Sequence, residues 1–318
     1  MNRNVFITSV LLAFFACFPV LFSNPYWIGV LNDIWLYAIL GLSLNWVVGH
    51  TGLFNLGHAA YYAVGAYTAA IISTHFNIPI LWLIPVAGFT AGLFALVVAR
   101  PIIHLRGDYL AIVTIGVGEI VRIALENDIF GITGGSNGIF GIPRPEIFDM
   151  RIRRPWQFYY LIGGFLLITI WFFYRLEQSR FGRALNYIKE DETAAEGSGI
   201  NTAWYKLAAF VIGAVWAGMA GTLFAAKMST VSPGSFVFWE SVLIFAIVIL
   251  GGAGSIPGVI LGAFLLVGLP EFFRNFADAR MLFFGAAMVL MMIFRSRGLL
   301  PPLTRKYAGV SRAGGGDA

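Results

Sequence analysis

Long apolar stretches separated by short polar connections dominate the pattern of this chain. Apolar runs of about 20 residues recur, and a helix of that length crosses the roughly 30 Å hydrocarbon core of a bilayer. The pattern predicts an all-α polytopic transmembrane bundle of eight to ten spans, since the third and eighth candidates hold many glycine or polar residues. The predicted spans lie near 5–22, 27–48, 52–73, 79–99, 107–126, 156–174, 204–226, 239–252, 256–273 and 280–295.

One segment, 175–206, departs sharply from this apolar pattern. It carries 10 of the 37 charged side chains of the chain, while the stretches on both sides are almost entirely apolar. A long charged insert between two spans favours contact with a partner protein at the membrane surface.

Composition and charge distribution support a membrane protein and suggest its orientation. Hydrophobic residues make up 58% and charged residues 12% of the chain, against about 25% charged in soluble domains. Lys and Arg are more frequent at the termini and in the 175–206 insert, which predicts a cytoplasmic location for all three. The basic cluster at 144–154 opposes this assignment. We expect residues 1–300 to form the membrane domain and 301–318 a disordered cytoplasmic tail.

The first predicted span is expected to be retained. Its apolar stretch is long, and the exit at 22–25 lacks the small-residue pattern of a signal-peptide cleavage site.

Several classes of function are disfavoured. The net charge of +5 fits lipid headgroups and topology, with no indication of nucleic-acid binding. A single cysteine, Cys17, excludes an internal disulfide, and the four scattered histidines have no metal-ligand spacing. None of the lysines stands in a phosphate-binding loop, so any ATP must be bound by another polypeptide. The sequence predicts no catalytic residue, cofactor or metal.

Residues 183–196 have the composition of a short amphipathic helix. Strong helix formers fill this stretch, and glycines at 197 and 199 provide a stop. Such a helix could lie on the membrane surface as a solvated connector, or dock into a groove of a partner. The acidic run at 190–192 favours docking over contact with an anionic leaflet.

Residues 49–70 hold many small and polar side chains for a membrane segment. They predict either a broken helix that faces the transport pathway or tight packing of helices on small residues. Asn55 and His58, nearly one helical turn apart, are the best polar candidates.

Glu119 and Arg122 are three residues apart and are predicted to pair on one helix face. The pair marks either a functional site within the membrane or an interfacial ion pair near the end of a span. The ladder formed by Gly254, Gly258 and Gly262 predicts close helix packing. The turn-rich loop 133–143 is either an ordinary outer loop or a surface that contacts a binding protein.

Four segments in this order resemble the permease subunits of branched-chain amino acid ABC importers, of the LivM type. The first three are GHTGLFNLGHAAYYAVGAYTAA at 49–70, LRGDYLAIVTIGVGEIVR at 105–122 with NDIFGITGGSNGIFGIP at 127–143, and SPGSFVFWESVLIFAIVILGGAGSIPGVILGAFLLVGLPE at 232–271. The fourth, RFGRALNYIKEDETAAEGSGINTAWYKLAAFVIGAVWAGMAGTLFA at 180–225, lies between the second and the third, and it resembles the loop that couples such permeases to their ATPases, with the following span.

The resemblance implies an ABC importer permease fold in a bacterial-type plasma membrane. It implies a homologous permease as partner, two cytoplasmic ABC ATPases and an extracytoplasmic substrate-binding protein. The coupling residues would be Arg183, Ala184, Glu190, Ala194, Ala195, Glu196, Gly197 and Gly199, and the tentative pathway residues Asn55, His58 and Glu119.

Other functions remain open on the sequence alone. Related permeases carry urea or short amides, and an uncharged pathway suits either cargo. An ion-coupled secondary transporter would require essential carboxylates within the membrane, and a membrane scaffold would need no polar pathway residues.

Overall fold

The computed structural model describes residues 24–105, 107–128, 131–147, 150–272, 285 and 298–301. The predicted spans at 5–22 and 280–295 lie outside the described residues, as does the tail beyond Pro301.

Helices dominate the described part of the chain, as the apolar pattern predicts. They are α1 (Pro25–Thr51), α2 (His58–Phe76), α3 (Ile84–Ile102), α4 (Asp108–Glu126), α5 (Pro155–Gln178), α6 (Arg180–Glu190), α7 (Glu192–Gly197), α8 (Thr202–Met228), α9 (Phe238–Gly251), α10 (Ile256–Ala263) and α11 (Leu269–Phe272). Short 3-10 turns at Ile80–Leu83, Gly135–Asn137 and Pro233–Phe236 and a π turn at Phe264–Gly268 complete the helical elements.

The all-α membrane architecture is confirmed, but the count of eight to ten spans is not. Five described helical stretches are long and apolar enough to cross a membrane. They are Pro25–Thr51, Ile80–Ile102, Pro155–Gln178, Thr202–Met228 and Pro233–Gly251. The apolar helical stretch Ile256–Glu271 is shorter.

Helix α1 is the central element of the bundle. It begins at Pro25 behind the Asn24 side chain, which accepts a hydrogen bond from the Tyr26 amide, and it ends at Gly52 in the left-handed conformation. Between Leu36 and Thr51 nearly every residue is buried, because α5, α8, α9 and α10 pack around it. A helix that is apolar on all sides either lies in a protein core or spans a membrane, and α1 is enclosed by its neighbours over this stretch.

Glycines allow α8 to lie against α2 and α3 at very short distance. A Cβ atom added to Gly218 would lie 2.5 Å from Ala91 Cβ and 2.6 Å from the Ala87 carbonyl oxygen. One added to Gly65 would lie 2.2 Å from the Gly218 carbonyl oxygen. A Cβ atom added to Gly258 would lie 2.3 Å from the Gly251 carbonyl oxygen. This contact confirms the packing role predicted for the ladder of Gly254, Gly258 and Gly262.

Short strands, which the apolar pattern did not predict, organise the loops at one end of the bundle. Strand β1 (Ile139–Phe140) pairs antiparallel with β4 (Thr230–Val231), and β2 (Glu146–Ile147) pairs with β3 (Met150–Arg151). Gly138 has a φ of 77°, and its close approach to the Val231 carbonyl leaves no room for a side chain.

Within the same loops, the backbone and hydroxyl of Thr133 donate to Asp128. These bonds hold the pKa of the Asp128 carboxyl below its ordinary value.

Replacing Gly218 by alanine tests the helix contact in α8. We expect Gly218→Ala to lower the midpoint of thermal unfolding in detergent, because overpacking typically costs about 1–3 kcal/mol. Gly164→Ala in α5 is the matched control, since nothing lies within 4 Å of a Cβ atom at that position. The control should leave the midpoint unchanged or raise it, because alanine is the better helix former. Equal midpoints for the two variants would contradict the packing argument.

Candidate functional site

The charged segment forms two helices, where the sequence predicted one helix over 183–196. Asp191 interrupts it with extended backbone angles of −153° and 105°. Its side chain accepts a hydrogen bond of 3.0 Å from the Ala194 amide and so caps α7. Ser179 caps α6 in the same manner through the Gly182 amide. Gly199, with a φ of 82°, lies in the turn that follows α7, as predicted from its glycine.

The apolar face of this segment packs against its own chain. Leu185 and Ile188 of α6 and Ala195 of α7 are buried. Phe181 of α6 stacks between Trp46 of α1 and Tyr205 of α8. Ala184 is buried as well. Ala184 and Ala195, both predicted coupling residues, therefore serve to hold the helices in place and do not present their side chains to a partner.

Polar contacts tie the same segment to the ends of α1 and α8. The Lys189 ammonium donates to the Gly49 carbonyl oxygen at 2.7 Å, and Asn186 Oδ1 lies 3.2 Å from His50 Nδ1. Lys206, which is 5% exposed, forms an ion pair with Glu192. Much of the Lys189 stem is exposed, but desolvation of its ammonium lowers the pKa of this residue, and the charge of Glu190 opposes the shift.

The outer face of the segment is polar and open. It carries the exposed residues Arg183, Glu190, Asp191, Ala194, Glu196, Gly197 and Gly199. A cavity of about 250 Å³ lies beside α7, between Ile103–His104 and the start of α8, with Glu192, Glu196 and Lys206 in its wall. Six of the eight predicted coupling residues thus lie on one accessible surface.

The predicted break in 49–70 is present, and it lies within the bundle. Residues 52–57 are not helical, and α2 begins only at His58, six residues later than the predicted span. Side chains satisfy the freed backbone amides: Thr51 Oγ1 accepts from Leu53, Asn55 Oδ1 from Gly57 and Thr114 Oγ1 from Leu56. Non-helical backbone inside a membrane requires such partners, which explains the density of polar residues in this motif.

Asn55 and His58 are both buried at this break, 1% and 0% exposed. His58 Nε2 lies 2.8 Å from Ser43 Oγ on α1, and the Ala59 amide donates to Ser241 Oγ on α9. The sequence reasoning missed Ser43, Thr114 and Ser241. The sequence shows each of them only as a hydroxyl within an otherwise apolar span. Their role becomes clear only when the helix that each hydroxyl contacts is known.

Glu119 forms the predicted pair with Arg122. Arg122 donates to Glu119 at 2.8 Å and to Glu126 at 2.7 Å, and all three side chains are partly exposed. These three charged residues lie on α4, a helix on which only Leu110 and Thr114 are buried. Glu119 is thus engaged in a partly exposed ion pair, whereas Asn55 and His58 are buried. The neighbouring Gly118 lies close to Gly57, since a Cβ atom there would be 3.6 Å from Gly57 Cα.

No group of His, Cys, Asp and Glu within the described residues could hold a metal ion.

Comparison with known proteins identifies relatives over most of the chain. The family model described as "Branched-chain amino acid transport system / permease component" matches residues 26–292. The high-affinity branched-chain amino acid transport system permease protein LivM of Escherichia coli K12 is 44% identical over 289 residues, which cover 84% of this chain and 68% of that protein.

More distant relatives belong to the same group. The permease protein LivH of the same organism is 28% identical over 256 residues, covering 74% of this chain and 80% of that protein. A probable LivM of Methanocaldococcus jannaschii is 26% identical over 337 residues, covering 87% and 95%. No solved structure matches the chain.

The ion pair between Lys206 and Glu192 should hold the charged segment on the bundle. Glu192→Gln leaves a buried ammonium without its counter-charge, and breaking a buried pair costs about 3–5 kcal/mol. We expect faster proteolysis of the 180–201 segment and a lower midpoint of thermal unfolding. The double variant with Lys206→Met should recover part of this loss, because it removes the buried charge.

The exposed pair between Arg151 and Glu146 provides the control for that experiment. Its side chains are 63% and 41% exposed, so Glu146→Gln should cost no more than about 1 kcal/mol. A Glu192→Gln variant as stable as this control would show that the Lys206 pair does not anchor the segment.

Proposed function

The chain belongs to the family of branched-chain amino acid transport permease components, and from this premise we propose that it is the membrane-spanning subunit of an ATP-driven importer. In this proposal it pairs with a homologous permease in a bacterial-type plasma membrane. Two cytoplasmic ABC ATPases supply the energy, and an extracytoplasmic binding protein delivers the cargo. Both termini and the 175–206 insert face the cytoplasm.

The anchored charged segment is the observation that carries this proposal. Helices α6 and α7 are fixed to α1 and α8 by buried side chains, a stacked aromatic group and ion-pair contacts. Their outer face remains polar and accessible, with Arg183, Glu190 and Glu196 exposed. A segment that is anchored to the bundle on one face and exposed on the other can transmit a displacement from a docked ATPase to the bundle.

The relatives support branched-chain amino acids as the cargo. LivM and LivH are permeases of branched-chain amino acid transport systems, which favours these substrates over urea or short amides. Resemblance to both proteins also supports a pair of homologous permeases, in which this chain takes the LivM-like position.

Two residues are proposed to line the pathway and a third to stand near its entrance. Asn55 and His58 lie at the polar break between α1 and α2. Glu119 lies on the largely exposed α4, beside Arg122. A paired but partly exposed carboxylate is unfavourable against lipid and suits a face that meets water or a partner subunit.

Reconstitution tests the proposed function directly. The chain with its partner permease, ATPases and binding protein should take up leucine in proteoliposomes only when ATP is supplied. Urea should not be taken up. Leucine uptake driven by a proton gradient in the absence of the ATPases would contradict the proposal.

Charge reversal on the outer face tests the coupling role. Glu190→Arg should reduce ATPase co-purification and uptake, because Glu190 is exposed on the proposed docking surface. Thermal stability of the permease should not change, since surface substitutions usually fall within about 0.5 kcal/mol. Arg144→Glu, exposed in the loops at the other end of α5, is the matched control and should retain ATPase binding. Normal assembly and uptake in the Glu190→Arg variant would refute the coupling role.

A further inference from the structure

Two buried polar atoms at the start of α2 have no hydrogen-bond partner among the described residues. They are Asn55 Nδ2 and His58 Nδ1. Buried polar groups in proteins are nearly always paired, with protein, water or a ligand. Other buried side-chain atoms of the described residues also lack such a partner, and these two are distinguished by lying three residues apart at the polar break.

The hydrogen bonds around His58 identify its free nitrogen as an acceptor. Ser43 has a single hydroxyl proton, and its Oγ lies 2.7 Å from the Leu40 carbonyl oxygen, which can only accept. Ser43 must therefore accept from His58, so the proton of the neutral imidazole is on Nε2. His58 Nδ1 then carries a lone pair with no donor.

The hydrogen bond made by the other end of the Asn55 side chain identifies its unpaired atom, Nδ2, as a donor. Asn55 Oδ1 accepts the Gly57 amide proton at 3.0 Å, which fixes the orientation of the side-chain amide. The NH2 group of Asn55 is attached to the same carbon and lies at the first turn of α2. The N-terminus of a helix carries a partial positive charge, so an anionic group is favoured beside it.

We propose that the polar break holds the charged head group of a transported α-amino acid. The carboxylate accepts from Asn55 Nδ2 at the positive end of α2, and the ammonium donates to His58 Nδ1. This inference rests on the proposed function and adds to it the site that recognises the cargo. The zwitterion suits the pair in chemistry, because it offers one acceptor group for the Asn55 donor and one donor group for the His58 acceptor.

Helix α4 closes this site in the present structure. A Cβ atom on Gly57 would lie 2.1 Å from the Thr114 carbonyl oxygen, so the two backbones are in direct contact. Apart from Leu110 and Thr114, α4 buries little of its surface, and Tyr109, Ile112 and Ile120 are largely exposed. Access to the head-group site therefore requires α4 to move away from the break, and few buried contacts oppose that motion.

Two nearly isosteric variants separate binding from structure. Asn55→Asp keeps the oxygen that accepts the Gly57 amide, removes the free donor and places a negative charge where the carboxylate of the cargo would bind. His58→Gln keeps a donor for Ser43 and replaces the ring acceptor by an amide oxygen, which cannot occupy the position of Nδ1 while the amide NH2 donates to Ser43. Asn45→Asp is the matched control, because Asn45 is also buried and its Oδ1 accepts the Gly254 amide at 2.7 Å.

The complete transporter in proteoliposomes is assayed for leucine uptake, for ATP hydrolysis stimulated by leucine-loaded binding protein, and for thermal stability. Asn55→Asp and His58→Gln should each lower uptake by at least about tenfold, the effect of losing a hydrogen bond to a charged group. Stimulated ATP hydrolysis should remain close to that of the wild type, and the thermal stability of Asn55→Asp should match that of Asn45→Asp, which buries the same carboxylate. Asn45→Asp should keep most of its uptake.

The results that would overturn the head-group site differ from those that would contradict the proposed function. Normal uptake in Asn55→Asp and His58→Gln would overturn the head-group site, as would equal losses in Asn45→Asp. If Asn55→Asp fails to assemble, His58→Gln decides the question. A wild-type complex that lacks ATP-driven leucine uptake would instead contradict the proposed function, and with it the inference built on it.

Discussion

Every backbone amide and carbonyl group within the apolar interior must find a partner inside the protein, and this constraint organises the molecule around residues 52–57. The chain leaves α1 at Gly52 and re-enters a helix at His58, so several amides lose their helical partners. Thr51, Asn55, Thr114 and Ser241 supply the replacements from α1, the break itself, α4 and α9. These helices converge on the break because their side chains complete its hydrogen bonds.

The same break is joined to the charged segment over a short distance. Gly49, three residues before Gly52, accepts from Lys189 of α6, and His50 contacts Asn186. A Cβ atom on Gly52 would lie 3.5 Å from Lys189 Cγ. A displacement of α6 and α7 therefore acts on the last turn of α1 and on the polar residues that follow it. In the proposed importer, this connection would link an ATPase docked on the segment to the polar break.

Apolar periodicity predicted most helices to within a few residues, because burial in a bilayer depends chiefly on composition and length. It placed the start of the third span six residues too early, since hydropathy does not register the loss of helical hydrogen bonds after Gly52. It treated 183–196 as one helix, although Asp191 caps a second helix. The sequence could have indicated this second start, because aspartate is a preferred N-cap residue. Helical spacing places Ala184 and Ala195 on one apolar stripe with Phe181. The sequence did not show that this stripe packs against the chain's own bundle, where Phe181 stacks on Trp46 and Tyr205. The pair of Glu119 with Arg122 followed from spacing alone, whereas Ser43 and Ser241 required the tertiary contacts.

The central claim is that motion at the charged segment reaches the polar break through the end of α1. Hydrogen–deuterium exchange of the amides at 52–60 measures this most directly, in the complete transporter with and without trapped ATP. The account predicts that ATP binding changes the exchange of these amides together with those of 180–200, while the helical amides of α3 are unaffected. Exchange at 52–60 that stays constant while 180–200 responds would contradict it.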